Sequence, residues 1–318
     1  MTTPAALPLT YIKTRADRKH QIATSLLSAH QTFTPVSRVS RVSHYGVRVV
    51  CISDTHNTRP ILPDSDILIH AGDLTENGSF EEMQRELSWL SSQLHQHKIF
   101  VAGNHDVLFD DDFLAKYPER KYGDKRTRKD LDWGSVIYLQ DTSTTLKFHP
   151  KSQEPTSLTI FGSPWTPRYG ISAFQYHPNT ETHWRNIFAC LDKPPDILIT
   201  HTPPHLHLDK RDFHRAGCPF LAEEIHRLRP KLHVFGHIHA SYGKKLVRLD
   251  GVQRIYEEVM TGWAGWLSIL YMGLLVLWSK IRLFIFLPSN APSIIFVNAS
   301  IVGASQNTPQ HEPVVVDL

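Results

Sequence analysis

The sequence predicts a layered α/β protein, and three observations lead to this prediction. Of 318 residues, 41% are hydrophobic and 20% are charged, which is typical of a globular chain with a sizeable core. Short apolar runs rich in Val and Ile recur from residue 47 onward. Stretches with the apolar spacing of amphipathic helices separate some of these runs. We therefore expect strands and helices to alternate along most of the chain.

The predicted elements follow one another from residue 47 to the end of the chain. We interpret the apolar runs as strands at 47–52, 67–69, 99–101, 158–161, 197–199, 232–235, 294–299 and 314–316. A helix is predicted over 80–94, where Met83, Leu87, Leu90 and Leu94 recur at helical spacing, and another over 219–228. The charged segment 121–132 is predicted to be a solvated loop.

Residues 1–46 are predicted to form a flexible basic extension, because they hold six Lys and Arg against a single acid, Asp17. An organellar transit peptide is the alternative, since such peptides are also basic, Ser-rich and poor in acids. No apolar signal-peptide segment follows the basic start. The three cysteines, Cys51, Cys190 and Cys218, form neither a disulfide framework nor a CxxC pair. We therefore expect an intracellular, cytoplasmic protein.

Residues 259–288 are predicted to be an apolar insertion. The first part, 259–279, contains 21 residues without a charge and reaches transmembrane length. A single crossing would separate the strands predicted after Pro288 from the rest of the sheet. We therefore favour a helix or helical hairpin that enters one leaflet, with a membrane surface as its partner. A buried core helix is the alternative, although three Trp and three Gly are unusual in one.

Polar side chains follow five of the predicted strands at the point where each strand ends. They are Asp54 and His56, then Asp73, then Asn104, then His201, and finally His237 and His239. Open α/β sheets bind ligands at the carboxyl ends of their strands. Taken singly, each motif is commonly an ordinary turn or surface feature. Their occurrence in order, each after an apolar run, favours a single site.

These seven residues offer oxygen and nitrogen ligands and no sulfur. Seven protein ligands are too many for an open catalytic site with one metal, and they suit two metals that share a carboxylate. A mixture of imidazole, carboxylate and amide suits Mn, Fe or Zn better than Ca or Mg. The sequence therefore predicts a dinuclear centre with two divalent ions.

The same motifs resemble the five ordered signatures of the calcineurin-like metallophosphoesterases. The motifs are Asp54-x-His56, Gly72-Asp73-Leu74-Thr75-Glu76-Asn77-Gly78, Gly103-Asn104-His105-Asp106, Thr200-His201 and Gly236-His237-Ile238-His239. The segments 162–167, 233–239 and 297–300 are similar, more narrowly, to the metallophosphoesterase-domain-containing (MPPED) branch. The apolar segment 259–288 departs from the compact members of that branch.

The resemblance implies that residues 47–318 form one metallophosphoesterase domain, a four-layer α-β-β-α sandwich interrupted by the apolar insertion. It also implies that Asp54, His56 and His239 hold one metal, that Asn104, His201 and His237 hold the other, and that Asp73 bridges them. We assign His105 to protonating the leaving oxygen or stabilising transition-state charge, with Asp106 orienting its ring by a hydrogen bond. A purely structural role for His105 is the alternative.

The predicted function is hydrolysis of a small phosphate ester by a hydroxide that bridges the two metals. The MPPED resemblance indicates a phosphodiester, nucleotide-like or cyclic, and a small phosphomonoester is also compatible. The alternative is a catalytically weak metal- or nucleotide-binding membrane adaptor. A nuclease is disfavoured, and no nucleic-acid partner is expected, because the formal net charge is only +3 and the basic segment 121–129 also contains Asp124. The oligomeric state stays open.

Overall fold

A computed structural model of the protein describes residues 15–34, 46–148, 156–285, 291–303 and 308–318. The chain divides into two compact units. The larger unit comprises Ser40–Val247 and Pro292–Leu318, and the smaller unit comprises Met1–Val39 and Arg248–Ala291. Parts of the predicted N-terminal extension, 1–14 and 35–45, and the end of the predicted insertion, 286–288, lie outside the described residues.

The first sheet of the larger unit has five strands, four of which are parallel. Its strands are β1 (Arg48–Ile52), β2 (Ile67–Ala71), β3 (His97–Val101), β4 (Val136–Tyr138) and β15 (Val314–Asp317). They are arranged in the order β15-β1-β2-β3-β4. Strands β1 to β4 pair in parallel, and β15 pairs antiparallel with β1 at the edge. The parallel arrangement brings the carboxyl ends of β1, β2 and β3 to one edge of the sheet.

The second sheet has six strands, in the order β13-β14-β12-β9-β6-β5. These are β5 (Thr142–Phe148), β6 (Thr156–Ser163), β9 (Ile197–Thr200), β12 (Leu232–Phe235), β13 (Gly243–Arg248) and β14 (Ser293–Asn298). Strands β6, β9, β12 and β14 pair in parallel, and β5 is antiparallel to β6. Two short pairs lie outside the main sheets, β7 (Thr166–Pro167) with β8 (Gln175–Tyr176) and β10 (Lys210–Arg211) with β11 (His214–Arg215).

The two sheets pack face to face around one apolar core. The first sheet contributes Val49, Ile69 and Ile99 to this core, and the second contributes Ile160, Ile199 and Val234. The outer face of the first sheet packs against α2 (Phe80–Ser91) and α3 (Asp111–Lys116). Phe161 of the second sheet meets Phe188, which follows α4 (His183–Ile187), and α4 lies beside α5 (Pro219–Leu228). The predicted α-β-β-α layering is confirmed.

Helix α2 illustrates how the local sequence forms these elements. It begins with a capping box in which Ser79 accepts from the backbone of Glu82 and the Glu82 side chain accepts from the backbone of Ser79. Met83, Leu87 and Leu90 are buried, as their spacing predicts, but the helix ends at Ser91 and leaves Leu94 exposed. The predicted helix over 219–228 and all eight predicted strands are also present.

The described residues of the smaller unit form three helices, α1 (Arg15–Phe33), α6 (Gly251–Thr261) and α7 (Trp266–Phe284). Their shared core includes Ala23, Val259 and Met272, all fully buried. Asp250 caps α6 by accepting from the backbone N–H of Gln253 at 3.0 Å. His30 of α1 lies with its Nε2 2.7 Å from Asp250 Oδ2.

The smaller unit contains helices that the sequence did not predict. Helix α1 lies where we predicted an extension without regular structure, and α6 was not predicted. Only three residues of α7, Ile269, Met272 and Val276, are buried. The alternative of an ordinary core helix therefore describes one side of α7 only.

Candidate metal centre

The seven candidate ligands follow five parallel strands that belong to both sheets. Asp54 and His56 come after β1, Asp73 after β2, Asn104 after β3, His201 after β9, and His237 and His239 after β12. All are buried except His237 and His239, which are partly exposed. Because the sheets pack face to face, the ends of the five strands converge on one place. The structure thus brings all seven predicted ligands together.

Asp54, His56 and His239 form one group of candidate ligands. One ligand atom from each residue lies within 4.8 Å of the other two. Nε2 of His239 lies 3.1 Å from Oδ1 of Asp54, although 185 residues separate them in the sequence. A carboxylate and two imidazoles at this separation offer one cation three ligands.

Asp73, His201 and His237 form a second group, again with one ligand atom from each within 4.8 Å of the others. Nε2 of His201 lies 3.2 Å from Oδ2 of Asp73 and 3.0 Å from the amide oxygen of Asn104. The same Asp73 oxygen lies 3.9 Å from Nε2 of His56, which belongs to the first group. Asp73 is therefore within reach of both groups.

The backbone is strained at four of these positions. The φ angles of Asp54, His56, Asp73 and His237 are 50°, 43°, 53° and 66°, in the left-handed region that residues other than glycine seldom adopt. Each such residue costs about 1–3 kcal/mol and persists only where the surroundings enforce it. Strain of this kind commonly clusters at functional sites.

Glycine lets two backbone segments approach the carboxylates closely. A Cβ atom at Gly236 would collide with Oδ2 of Asp54, and one at Gly103 would collide with Oδ1 of Asp73. No larger residue fits at either position without moving a candidate ligand.

Hydrogen bonds fix the orientation of the carboxylates and imidazoles. Asp54 accepts from the backbone N–H of His237 at 2.9 Å and from the hydroxyl of Ser300 at 2.8 Å. The backbone N–H of His105 donates to Asp73 at 2.8 Å. Nδ1 of His201 donates to the carbonyl oxygen of Ala71 at 2.9 Å, so Nε2 is the nitrogen directed toward Asp73 and Asn104.

The electrostatics of the site suit cations. Burial alone would raise the pKa of Asp73, but the imidazoles of His201 and His105 hold it well below its ordinary value. Burial lowers the pKa of His201, but the carboxylate of Asp73 outweighs this effect and raises that pKa to about 9. The carboxylates thus attract protons to the neighbouring imidazoles, and metal ions compete with protons for the same positions.

His56 provides a further test of whether the site fits a metal. Its ring is buried, and neither nitrogen makes a hydrogen bond of acceptable geometry, although Nδ1 lies 3.2 Å from Oε2 of Glu76. Burial lowers the pKa of His56, which favours the neutral imidazole that binds metals. Leaving polar nitrogens buried without partners is costly, and a metal ion would satisfy one of them. The donor set therefore fits divalent cations.

The environment of His105 and Asp106 differs from the prediction in one contact. The Asp106 carboxylate does not orient the His105 ring; it accepts from the backbone N–H groups of Leu74, Thr75 and Gly103 at 2.9–3.2 Å. Nδ1 of His105 donates instead to the carbonyl oxygen of Glu76 at 2.7 Å. Asp106 therefore connects the loops that follow β2 and β3, because its short side chain is directed toward their backbone.

The structure adds three residues that the motif analysis did not single out for the site. Glu76 contacts the rings of both His56 and His105. Ser300 donates to Asp54 and to the side chain of Asn298. Tyr169 places its ring centre 5.1 Å from that of His237 and is more than half exposed. Glu76 and Ser300 fall within segments that carried the family resemblance, but Tyr169 has no local signal.

A two-sheet α/β sandwich whose strand ends present adjacent ligand groups is the arrangement expected of a metallophosphoesterase domain. Residues 47–241 match the family model of the calcineurin-like phosphoesterases, and the chain belongs to that family. The family resemblance that the motifs indicated is confirmed.

Relatives place the chain close to the predicted branch. It is 36% identical over 219 residues to human metallophosphoesterase domain-containing protein 1, a match that covers 64% of this chain and 63% of that protein. It is 35% identical over 202 residues to UPF0046 protein K07C11.7 of Caenorhabditis elegans, covering 62% of this chain and 65% of that protein. The chain thus spans less than two thirds of both relatives.

A third relative matches more of this chain. The probable rhamnogalacturonate lyase C of Emericella nidulans is 42% identical over 274 residues, covering 86% of this chain and 24% of that protein. A match of this length includes residues of the smaller unit as well as the larger one.

Proposed function

We propose that the protein is a phosphoesterase that depends on two divalent metal ions and hydrolyses a small phosphodiester, with a phosphomonoester as the second substrate class. The observation that carries the proposal is the position of Asp73, whose carboxylate lies within 3.2 Å of one ligand group and 3.9 Å of the other. A carboxylate shared between two ligand groups is well placed to bridge a pair of metals.

We assign the ligand groups as follows. Asp54, His56 and His239 hold one ion, Asn104, His201 and His237 hold the other, and Asp73 bridges them. When bound, the two ions would supply Lewis acidity to a phosphoryl oxygen and would activate water for attack on phosphorus. The protein's own contribution is to hold these ligands rigidly, through strained backbone and the hydrogen bonds to Asp54, Asp73 and His201.

We assign His105 to donating a proton to the leaving oxygen. Its Nδ1 hydrogen bonds to the Glu76 carbonyl, which leaves Nε2 as the nitrogen that would face a substrate. Burial lowers the pKa of His105, but Asp73 and the Glu76 carbonyl outweigh this effect and raise it above its ordinary value. The fixed orientation of the ring leaves Nε2 to carry the proton that a general acid donates. Asp106 is a positioning residue for the two loops.

Residues around Tyr169 support a nucleotide-like substrate. The exposed Tyr169 ring beside His237 offers a face on which a planar base can stack. Lys210 and Arg211 are exposed on the β10–β11 hairpin, and the Ser241 hydroxyl donates to the Lys210 carbonyl at 2.7 Å. This hydrogen bond ties the cationic hairpin to the segment that follows His239. Cations and an aromatic face at the edge of the centre suit an anionic ester with an aromatic group.

Hydrolysis of bis-p-nitrophenyl phosphate with added Mn²⁺ tests the proposal. We expect Asp73→Asn and His237→Ala to reduce the rate at least 100-fold and to lower the bound metal, measured by elemental analysis. The matched controls are Asp64→Asn and His177→Ala, which change exposed residues of the same types and should retain both properties. A comparison with p-nitrophenyl phosphate and cyclic nucleotides would identify the ester class.

If the wild-type protein is as inert as the two variants while it holds two metal equivalents, it is a binding protein and the proposal is wrong. If Tyr169→Ala changes kcat but leaves KM for cyclic nucleotides unchanged, the assignment of Tyr169 to substrate stacking is wrong.

A further inference from the structure

Helix α7 exposes a continuous apolar stripe along its length. Leu267, Leu270, Leu274, Leu277, Ile281 and Phe284 are each between 42% and 84% exposed. These positions recur every three or four residues and therefore share one side of the helix. Ile269, Met272 and Val276 lie in the core of the smaller unit. An apolar surface of this extent commonly marks an interaction site.

Aromatic and basic residues flank this stripe. Trp263 and Trp266 lie near the start of α7 and Trp278 lies in its second half, and each is between 38% and 51% exposed. The helix contains no acid, and its two charged residues are Lys280 and Arg282 near its end. Trp is enriched where membranes meet water, and cations beside an apolar helix attract anionic lipids. This pattern fits a lipid surface better than a protein groove.

The connectivity of the chain limits how α7 can bind a membrane. In the described part of the chain, α7 is the one helix that is long and apolar enough to span a bilayer. However, α6 and α7 lie in sequence between β13 and β14, which are neighbours in one sheet. A chain that crossed a bilayer in α7 would have to cross back before β14.

Neither the segment between β13 and α7 nor the segment between α7 and β14 is able to make that second crossing. Only eight residues separate Phe284 from Ser293. Fully extended, they reach less than about 30 Å, which is the thickness of the hydrocarbon layer alone. Their backbone would also lack hydrogen-bond partners in lipid. Helix α6 has eleven residues, about 16 Å, and carries Arg254 and Glu258.

We propose that α7 binds the surface of an anionic membrane and lies within one leaflet, with its apolar stripe in the acyl region and both of its ends on the same side. Lys280 and Arg282 then lie at the level of the lipid headgroups. The buried side of α7 stays packed on α1 and α6, so the smaller unit keeps its fold on the membrane.

Sedimentation with lipid vesicles tests the binding step on the full-length protein. Vesicles contain phosphatidylcholine alone or with 30% phosphatidylserine, and the bound fraction is measured at low and high salt. We expect binding to the anionic vesicles, reduced at least tenfold by Leu270→Glu combined with Leu277→Glu. The matched control combines Ile61→Glu with Leu94→Glu, which change exposed apolar residues of the larger unit. Circular dichroism verifies that both double variants are folded.

Two results would overturn the binding proposal. The first is a wild-type protein that stays in the supernatant with both kinds of vesicle. The second is a concentration-dependent dimer, seen by analytical ultracentrifugation, that the α7 double variant abolishes while vesicle binding is absent. The stripe would then be the interface between two copies of the chain.

Cysteine labelling tests the orientation of α7. In a Cys190→Ser background, which removes the exposed cysteine, single cysteines replace Thr261, the last residue of α6 and five positions before α7, or Lys280, near the end of α7. We expect a membrane-impermeant maleimide to label both positions on vesicle-bound protein without detergent. If one position is labelled only after detergent is added, α7 spans the bilayer and the single-leaflet proposal is wrong.

Discussion

The two units of this chain distribute polar and apolar side chains in opposite ways. The larger unit buries carboxylates and imidazoles at its strand ends, with Asp54, Asp73 and His201 almost inaccessible to water. The smaller unit exposes apolar side chains, with Leu267 and Phe284 of α7 more than 80% exposed. Buried charges and a contiguous exposed apolar face are the two exceptions to ordinary protein surfaces that most often indicate function.

The comparison shows that the two regions depend on different stabilising partners. In the larger unit, buried polar groups are held by backbone hydrogen bonds and by each other, and their remaining lone pairs suit metal ions. In the smaller unit, nothing within the described chain removes the α7 stripe from water. The first region therefore carries a site that the fold itself builds, whereas the fold leaves the apolar stripe of the second region exposed.

We expect the largest effect on activity from the addition of one methyl group at Gly236 in the larger unit. In Gly236→Ala, the new Cβ would collide with Oδ2 of Asp54, so the carboxylate must move. A displacement of about 1 Å at a catalytic group costs about 100-fold in rate. We expect the rate of bis-p-nitrophenyl phosphate hydrolysis to fall at least 100-fold and bound metal, measured by elemental analysis, to decrease.

The same substitution in the smaller unit is the matched control. At Gly273 in α7, the new Cβ meets no atom within 4 Å. Alanine is favoured over glycine in a helix by up to about 1 kcal/mol, so Gly273→Ala should retain activity and raise the melting temperature of the smaller unit. Equal activity losses in both variants would show that the contrast between the two glycines is wrong.

A second contrast lies between the two sides of α7. Met272 is fully buried in the core of the smaller unit, whereas Leu270 is 66% exposed. Met272→Ala should reduce the free energy of unfolding of this unit by about 2–5 kcal/mol, because it leaves a cavity. Leu270→Ala should change it by no more than about 0.5 kcal/mol in solution without lipid. Denaturant unfolding followed by circular dichroism measures both.

Comparable losses in these two variants would mean that a partner covers the Leu270 side in solution. In that case the α7 stripe is an ordinary internal interface, and the difference between the two units disappears.

The sequence predicts the site well because every candidate ligand directly follows an apolar strand. Strand and ligand are local to each other, so runs such as 67–69 and 232–235 give both the element and the position of the ligand. The centre of each sheet is predictable for the same reason. Strand β5 is rich in Thr and Ser and therefore produces no apolar run, whereas β4 is a three-residue apolar run, Val136–Tyr138, that the prediction does not include.

The sequence does not predict hydrogen bonds between side chains and backbone groups. The ring of His105 donates to the carbonyl of Glu76, 29 residues away, and every residue type carries such a carbonyl. The motif therefore predicts that Asp106 orients its neighbour His105, whereas the Asp106 carboxylate accepts from N–H groups of two loops. Helix α1 was missed because its composition resembles a polar extension, and Ala23 is its one fully buried residue among those whose side chains are described.

We expect the smallest effect, a pH-dependent change in folding stability, from removal of the charge of Asp250 in the smaller unit. Burial alone would raise its pKa, but hydrogen bonds from His30 and from the backbone of Gln253 outweigh burial and lower that pKa below its ordinary value. A carboxyl whose pKa is lower in the folded state stabilises it above the unfolded pKa of about 3.9. This stabilisation is lost as the pH falls through the folded pKa.

Comparing two substitutions at this position separates the charge from the helix cap. Asn caps helices about as well as Asp, so Asp250→Asn should remove the acid-dependent part of the stability and retain the cap. Asp250→Ala should cost about 1 kcal/mol more at every pH, because the N–H of Gln253 loses its acceptor. Unfolding free energies measured from pH 7 to pH 3 should therefore give wild type a steeper acid-side slope than either variant. Parallel slopes for all three proteins would show that Asp250 carries no charge-dependent stability, and the smaller unit would then rest on its apolar core alone.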